Sequence, residues 1–357
     1  MRAHPSNLQA RCCIVIADEN RPERVGGTLN GENTSSRSAE AAMKMGFLRQ
    51  ASLRASRLVS AAHVLLSAQE SDRNIWERPL WFTRPANRFI ADSGTPTALS
   101  TAAAILSVAA GSPSCLVAIL PSDFWVARGS VLIEAIERVF TSLHRVPGGV
   151  ATLGMVDAHT ESDEDYLVVG PDNAQTGAVI HAKWNRPALP IARQLTKEGA
   201  IVFSGILLGY AHAFSAHIYE YWPHLARELD LTRESNSISE CEHRFPYDAY
   251  RHIPRSVIGS VRWSAPTFPM RVFRVQGSGW CSRKFPREVA IAPAAGRQLK
   301  RKQLSCPRNA IQEGADMFRN HKFRIIKGRA ERGCINEADF PRTIGQPWPS
   351  RGRRGHA

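Results

Sequence analysis

The stretch at residues 115–126, CLVAILPSDFWV, decides how this chain folds. Its first six residues are apolar and follow an alanine-rich, helix-like run that a Gly-Ser-Pro break ends, which predicts a buried strand of an α/β sheet. Open α/β sheets bind ligands at the carboxyl ends of their strands, so Asp123 is well sited to hold a divalent cation against a phosphate. The alternative is that Asp123 closes a turn or caps the predicted helix 130–143.

Working outward from this strand, apolar runs and helical periodicity alternate along the chain. The other predicted strands are 12–17, 149–156, 165–169, 178–184, 200–210 and 271–275. The other predicted helices are 39–69, 96–110, 189–198 and 214–228, the last interrupted near Pro223. In the helix 39–69, Arg49, Arg54 and Arg57 are spaced for a solvated face, whereas Leu53 and Leu58 are available for packing. The pattern predicts an α/β fold whose mixed, mostly parallel sheet is flanked by helices.

The net charge of +14 is concentrated at one end of the chain. Residues 283–357 carry 18 basic and 6 acidic side chains, so the first 282 residues are nearly neutral. We therefore expect a domain at 12–290 and a basic, largely disordered tail at 291–357. The tail could contact nucleic-acid phosphates through residues 300–302 and 351–354, but aromatic side chains are sparse there and a solvated tail is the preferred interpretation.

Membrane, disulfide and zinc-site patterns are weak in this sequence. The longest apolar region, 97–120, is broken at Gly111 to Pro113, which leaves segments too short to span a bilayer. The N-terminus lacks the apolar core of a secretory signal, and we expect a cytoplasmic protein with no membrane contact. The seven cysteines are odd in number and scattered, so we expect neither a disulfide framework nor a zinc site. The oligomeric state stays open.

Five segments carry motifs in a characteristic order: ILPSDFWV (119–126), GVATLGMVDAHTESDEDYLVVG (149–170), VIHAKWNRP (179–187), GAIVFSGILLGY (199–210) and GSGWCS (277–282). In this order they resemble the sugar-1-phosphate nucleotidyltransferases, and specifically the mannose-1-phosphate guanylyltransferase (GDP-mannose pyrophosphorylase) family. The family has Leu-Pro-Ser-Asp-His, a Thr-x-Gly-Ile strand before a Tyr-Gly-Tyr-Ile hairpin, Phe-x-Glu-Lys-Pro, Trp-Asn-Ser-Gly and Gly-Trp-Ser-Asp at the corresponding places. The resemblance covers about residues 12–290.

The resemblance implies a glycosyltransferase-A-like, Rossmann-like nucleotidyltransferase domain and a specific reaction. An oxygen of a sugar-1-phosphate attacks the α-phosphate of a nucleoside triphosphate, and pyrophosphate leaves, with Mg²⁺ as cofactor. By position, the resemblance makes Asp123 the metal ligand and Arg186 the catalytic cation on the sugar phosphate. It makes Thr95, Gly26 and Gly27 nucleotide-binding residues, and Asp165, Ser204 and Gly205 sugar-binding residues.

Several of these positions depart from the family pattern. Asp18 and Glu19 occupy the place of a glycine-rich loop that would cradle phosphates, although Gly26 and Gly27 could substitute if the loop is shifted. At four further positions the chain differs from the family. It has Arg186 where the family has a lysine, Asp165 in place of a hairpin glycine, Phe203 in place of an asparagine and Ser282 in place of a second metal-binding aspartate. Two interpretations follow: a divergent enzyme that still transfers a nucleotidyl group, or a catalytically inactive homologue that serves as a nucleotide-sugar-binding or regulatory protein.

Overall fold

The computed structural model describes residues 10–17, 34–93, 95, 97–156, 164–235, 241–250 and 270–282, and leaves aside the side chains of 34–43, 232–235, 247, 249, 281 and 282. All of these residues belong to one of the chain's two contact-defined units, Met1–Ala310. The predictions for Asp18, Glu19, Gly26 and Gly27, the boundary at residue 290 and the basic tail lie outside the described residues.

Within these ranges the chain forms twelve strands and eight helices. The strands are β1 Arg11–Ala17, β2 Val64–Gln69, β3 Arg88–Ala91, β4 Leu116–Pro121, β5 Phe124–Val126, β6 Val150–Met155, β7 Tyr166–Val169, β8 Ala178–Trp184, β9 Ile201–Tyr210, β10 His243–Phe245, β11 Arg271–Val275 and β12 Trp280–Ser282. The helices are α1 Thr34–Leu58, α2 Arg73–Trp76, α3 Thr97–Gly111, α4 Gly129–Ser142, α5 Leu189–Lys197, α6 Ala211–Tyr221, α7 Pro223–Ser235 and α8 Tyr247–Tyr250.

Ten of the strands form one sheet in the order β10-β3-β2-β1-β4-β9-β6-β11-β8-β7. The five strands from β10 to β4 are mutually parallel, and we call them the parallel half. Beyond them, β9 runs antiparallel to both β4 and β6, and β7 pairs with β9 as well as with β8. The strands β9, β6, β11, β8 and β7 therefore make a closed circuit, the closed half. A mixed α/β fold is confirmed, but "mostly parallel" describes only the first half.

Helices cover both faces of the parallel half. In β1, Cys13 and Val15 pack with α1, α2 and α4, whereas Cys12 and Ile14 pack with α3, α6 and α7. The strand β4 divides its apolar residues between the same two clusters. Strands buried on both faces need apolar residues at every position, which explains the uninterrupted runs in the sequence. Helices therefore pack on both faces of β1 and β4.

The predicted helix at 39–69 is wrong at its end. Helix α1 ends at Leu58, and Val64–Gln69 forms the parallel strand β2 between β1 and β3. A short apolar run has no periodicity that separates strand from helix, and no Gly or Pro marks the change here. The helix face was also misassigned by one residue. Leu53 is 46% exposed, whereas Arg54, which we expected on the solvated face, is only 4% exposed.

No helix in the described part of the chain is long and apolar enough to cross a membrane.

Candidate functional site

Asp123 lies just beyond the carboxyl end of β4, as the sequence predicts. Beside it, β1 runs parallel to β4 with Ile16 opposite Pro121. The backbone N–H of Ser122 donates to the carbonyl oxygen of Ile16 at 3.1 Å, which holds the turn before Asp123 against the end of β1. The carboxylate is partly exposed. It therefore lies at the edge of the sheet where open α/β folds bind ligands.

The same edge meets a bulge in β9, and we call this junction of the two halves the seam. The register between β6 and β9 shifts between Thr152 and Gly154. Inside the bulge, the Ser204 hydroxyl donates to the carbonyl oxygen of Leu153 at 2.7 Å and accepts from the backbone N–H of Ile206 at 3.1 Å. These two internal hydrogen bonds fix the bulge. The sugar contact predicted for Ser204 stays a prediction.

Gly205 brings this bulge against the turn that carries Asp123. Its φ of +75° lies in the left-handed region that side chains disfavour. A Cβ atom added to Gly205 would lie 3.2 Å from Cγ of Pro121. Glycine is therefore required both by the backbone conformation and by the close approach of β9 to the Pro121–Asp123 turn.

A small antiparallel ribbon begins directly after Asp123. Strand β5 begins at the next residue and pairs with β12, with Phe124 opposite Ser282 and Val126 opposite Trp280. Residue 282, where the resemblance expects a second metal-binding aspartate, thus has its backbone beside the residue that follows Asp123. The two positions are brought together although they are 159 positions apart in the sequence.

The closed half contributes a cluster of charged and aromatic side chains. Lys183 Nζ lies 2.9 Å from Asp165 Oδ2, with the two side chains 7% and 19% exposed. The same ammonium lies over the Phe203 ring, 4.7 Å from its centroid. The backbone N–H of Phe203 donates to the Asp165 carbonyl oxygen at 2.9 Å. Lys183 therefore contacts both Asp165 and Phe203, two positions that depart from the family pattern. The sequence did not predict a role for Lys183.

Arg186 is held at the edge of this cluster. Its φ of +43° is unusual for a residue with a side chain, and its backbone N–H donates to Asp165 Oδ1 at 3.2 Å. The side chain is exposed. Strain of this kind often occurs where a side chain must be presented to a ligand. Phe203 lies two residues, or about 7 Å, along β9 from Gly205, which links this cluster to the seam.

Thr95 lies at the far side of the same sheet edge. It follows β3, and its carbonyl oxygen accepts from Nε2 of Gln69 at 3.0 Å. Its hydroxyl is buried without a hydrogen-bond partner among the described residues, just before α3 begins at Thr97. Three strand spacings separate β3 from β4, so Thr95 and Asp123 are about 14 Å apart along the edge. A ligand contacting both would have to be extended.

The side chains at Asp123 suit a magnesium ion that also binds the substrate. They suit less well a metal ion bound by protein side chains alone. Among the described residues, no three His, Cys, Asp or Glu side chains could hold a metal together. Mg²⁺ commonly binds one or two protein carboxylates and completes its coordination with water and substrate phosphates. One carboxylate at Asp123, with residue 282 beside it, fits that pattern.

In comparisons of sequence, no family model and no curated protein matches the chain. Its fold, however, is found in solved structures. Mannose-6-phosphate isomerase from Helicobacter pylori superposes with a TM-score of 0.51 at 15% identity, over 76% of this chain and 100% of that one. Mannose-1-phosphate geranyltransferase from Thermus thermophilus superposes with a TM-score of 0.54 at 15% identity, over 77% of this chain and 76% of that one. At this identity the likeness establishes a common fold.

Proposed function

We propose that the protein is a divergent sugar-1-phosphate nucleotidyltransferase of the mannose-1-phosphate guanylyltransferase type. It would transfer a nucleotidyl group from a nucleoside triphosphate to a sugar-1-phosphate. An oxygen of the sugar phosphate forms a bond to the α-phosphorus, the bond from the α-phosphorus to the β-phosphate oxygen breaks, and pyrophosphate leaves. The proposal includes a cytoplasmic location.

The observation that carries this proposal is the meeting of three distant segments at the seam. The Pro121–Asp123 turn, the Gly205 bulge and the backbone of Ser282 belong to three of the motifs on which the resemblance rests. The order of five motifs in a sequence could arise by chance. Chance would not explain why three of these motifs also lie together at one edge of the sheet. The solved structures with this fold are named for mannose-6-phosphate and mannose-1-phosphate, which supports a sugar phosphate as the ligand class.

The roles follow from charge and position. Asp123 would hold Mg²⁺, and the ion would neutralise the charge that develops on the α-phosphate and the leaving pyrophosphate. Arg186 presents an exposed guanidinium that can bind a sugar phosphate with two parallel hydrogen bonds. Thr95 offers a hydroxyl to the nucleotide at the other end of the edge. The Asp165–Lys183 pair fixes the backbone amide of Arg186, so these two residues position the phosphate-binding cation.

A pyrophosphate-release assay tests this proposal. The full chain is supplied with Mg²⁺, GTP and mannose-1-phosphate, and then with other nucleotide and sugar-phosphate pairs. Asp123→Asn should reduce the rate about 100-fold, because several kcal/mol of charge stabilisation is removed and 1.4 kcal/mol corresponds to about a factor of ten. Arg186→Met should raise KM for the sugar phosphate about tenfold with a smaller change in kcat.

The matched controls are Asp172→Asn and Arg193→Met, which remove the same charges at exposed positions in the loop between β7 and β8 and on α5. Both should retain the wild-type rate. Absence of turnover with every pair, in protein shown by circular dichroism to be folded, would reject the enzymatic function. Calorimetric titration with GTP and GDP-mannose would then decide whether the chain is an inactive homologue that still binds nucleotide sugars.

A further inference from the structure

Arg54 is a buried cation that the proposed reaction does not use. It lies near the end of α1 and its side chain packs against β5, with the guanidinium carbon 4.7 Å from the centroid of the Phe124 ring. Only 4% of the residue is exposed. Both terminal nitrogens, Nη1 and Nη2, are buried without a hydrogen-bond partner among the described residues.

Such an arrangement is unfavourable unless an acceptor arrives. Burial lowers the pKa of the Arg54 guanidinium to about 10, which still leaves it charged at neutral pH. The neighbouring α1 residues Leu48, Ala51 and Ala55 are apolar and belong to the same core cluster as Phe124. A ring face stabilises a cation by about 1–2 kcal/mol, which does not compensate for several unsatisfied N–H groups of a buried charged side chain.

A second unsatisfied donor belongs to another aromatic neighbour of Phe124. The ring centroids of Phe124 and Trp280 are 6.3 Å apart, and the indole Nε1 of Trp280 is also buried without a partner among the described residues. A guanidinium and an indole N–H can only donate hydrogen bonds. Two donor groups around one ring, with a net positive charge, match an oxyanion and exclude a cation as the ligand.

We propose that Arg54 and Trp280 bind an oxyanion of the phosphate class beside Asp123. The guanidinium contributes two parallel hydrogen bonds and the indole N–H a third. Phe124 directly follows Asp123 in the chain, so the ring between these donors is one residue from that carboxylate. Access requires movement of the β5–β12 ribbon, and a two-stranded ribbon of three residue pairs is a marginally stable element that can open.

Thermal unfolding of the full chain tests the site without substrate turnover. The unfolding temperature is measured in sodium phosphate, sodium pyrophosphate or GTP, each against sodium chloride of equal ionic strength. In the wild type we expect a rise of about 5 °C at a ligand concentration near 100 Kd. Arg54→Met should abolish this rise without lowering the unfolding temperature in chloride, because it removes an unpaired buried charge. Arg138→Met, an exposed arginine of α4, should behave as the wild type.

The three anions distinguish the source of the phosphate. An Arg54-dependent rise with phosphate or pyrophosphate supports a site for the free anion, and one confined to GTP supports a nucleotide phosphate at the same site. If Arg54→Met does not fold, Trp280→Phe serves in its place, since it removes the indole N–H and keeps a ring against Phe124. It should weaken binding about tenfold.

The proposal is overturned if no anion stabilises the wild type beyond chloride, or if Arg54→Met retains the full rise. It is also overturned if Arg54→Met lowers the unfolding temperature in chloride while Trp280→Phe keeps the full phosphate response, since Arg54 would then be a packing residue. None of these readouts needs a sugar phosphate, so a chain that lacks nucleotidyl transfer can still bind the anion, and the two proposals fail separately.

Discussion

Two buried cations, one in each half of the molecule, have opposite surroundings. Lys183 in the closed half is 7% exposed and forms an ion pair with Asp165 at 2.9 Å. Arg54, packed over the parallel half, is 4% exposed and has no hydrogen-bond acceptor for either Nη atom among the described residues. A buried charge that has a partner belongs to the folded scaffold. A buried charge without a partner is unfavourable, and a ligand of opposite charge would supply the missing partner. The difference separates residues that shape the site from residues available to bind in it.

The same contrast extends to the outer edge of the parallel half. There, Glu242 accepts from Arg73 at 2.6 Å and from Arg88 at 3.1 Å, and Arg73 also binds Glu70. This network fastens β10 to the sheet far from Asp123. The side chains of Arg73 and Glu70 are 26% and 33% exposed, more than either side chain of the Asp165–Lys183 pair, so their ion pair should contribute less to stability.

Breaking the buried pair should have the largest effect. Lys183→Met leaves the Asp165 carboxylate without its cation in a mostly buried position, and we expect a loss of about 3 kcal/mol in the free energy of unfolding. Urea denaturation measures the change. The double variant Asp165→Asn with Lys183→Met should recover at least part of the loss, because no unpaired charge remains. A loss below about 0.5 kcal/mol for Lys183→Met would show that the pair is solvated and not part of the scaffold.

A substitution at the seam should come next. Gly205→Ala forces a residue with a Cβ into the left-handed region and against Pro121, which should lower the unfolding free energy by about 2 kcal/mol. It should also reduce ligand binding at Asp123. Gly111→Ala is the matched control, because a Cβ at Gly111 meets no atom within 4 Å. Equal unfolding free energies for the two variants would mean that the close approach at the seam does not exist.

The edge network should give a smaller, pH-dependent effect. The hydrogen bond from Arg73, with help from Arg88, holds the pKa of Glu242 below its ordinary value of 4.5. The unfolded state therefore binds more protons than the folded state in acid, and the stabilisation present above pH 4.5 is lost as the pH falls below it. Glu242→Gln should lower the unfolding free energy at pH 7 by about 1 kcal/mol and flatten its decline in acid. An equally steep decline of the unfolding free energy in acid for the variant and the wild type would contradict this.

The smallest expected effect is a gain. Gly46 lies in the middle of α1, and an added Cβ meets nothing within 4 Å. Gly46→Ala should raise the unfolding free energy by about 0.8 kcal/mol, since alanine favours helix over glycine by about that amount. Calorimetry or urea denaturation would detect it. A decrease would indicate that the helix needs glycine at this position.

Sequence patterns located all five strands of the closed half, but in the parallel half they located β1 and β4 and missed β2 and β10. The strands β1 and β4 are apolar on both faces, so their burial can be predicted from the local amino-acid composition. The second pairing of β7, with β9, depends on contacts between distant segments that no local pattern encodes. Lys183 was missed because its partner Asp165 lies across a hairpin. Arg54 was misassigned because helical periodicity in α1 is weak, and a shift of one residue exchanged it with Leu53.

At the site, motif order predicted the neighbourhood of Asp123, Gly205 and residue 282. The uses of the side chains were less predictable. The sugar contact of Ser204 stays a prediction, and the structure adds that two hydrogen bonds of its hydroxyl fix the β9 bulge. Whether a hydroxyl serves a ligand or the backbone depends on its three-dimensional surroundings. Sequence patterns alone do not contain them.

Hydrogen exchange followed by mass spectrometry tests most directly whether the seam is a site built from both halves. The full chain would be compared with and without Mg²⁺, GTP and mannose-1-phosphate. We predict slower exchange in peptides covering residues 119–126 of the parallel half and in peptides covering 179–206 of the closed half. Protection confined to one half, or absent from both, would contradict a site formed where the halves meet.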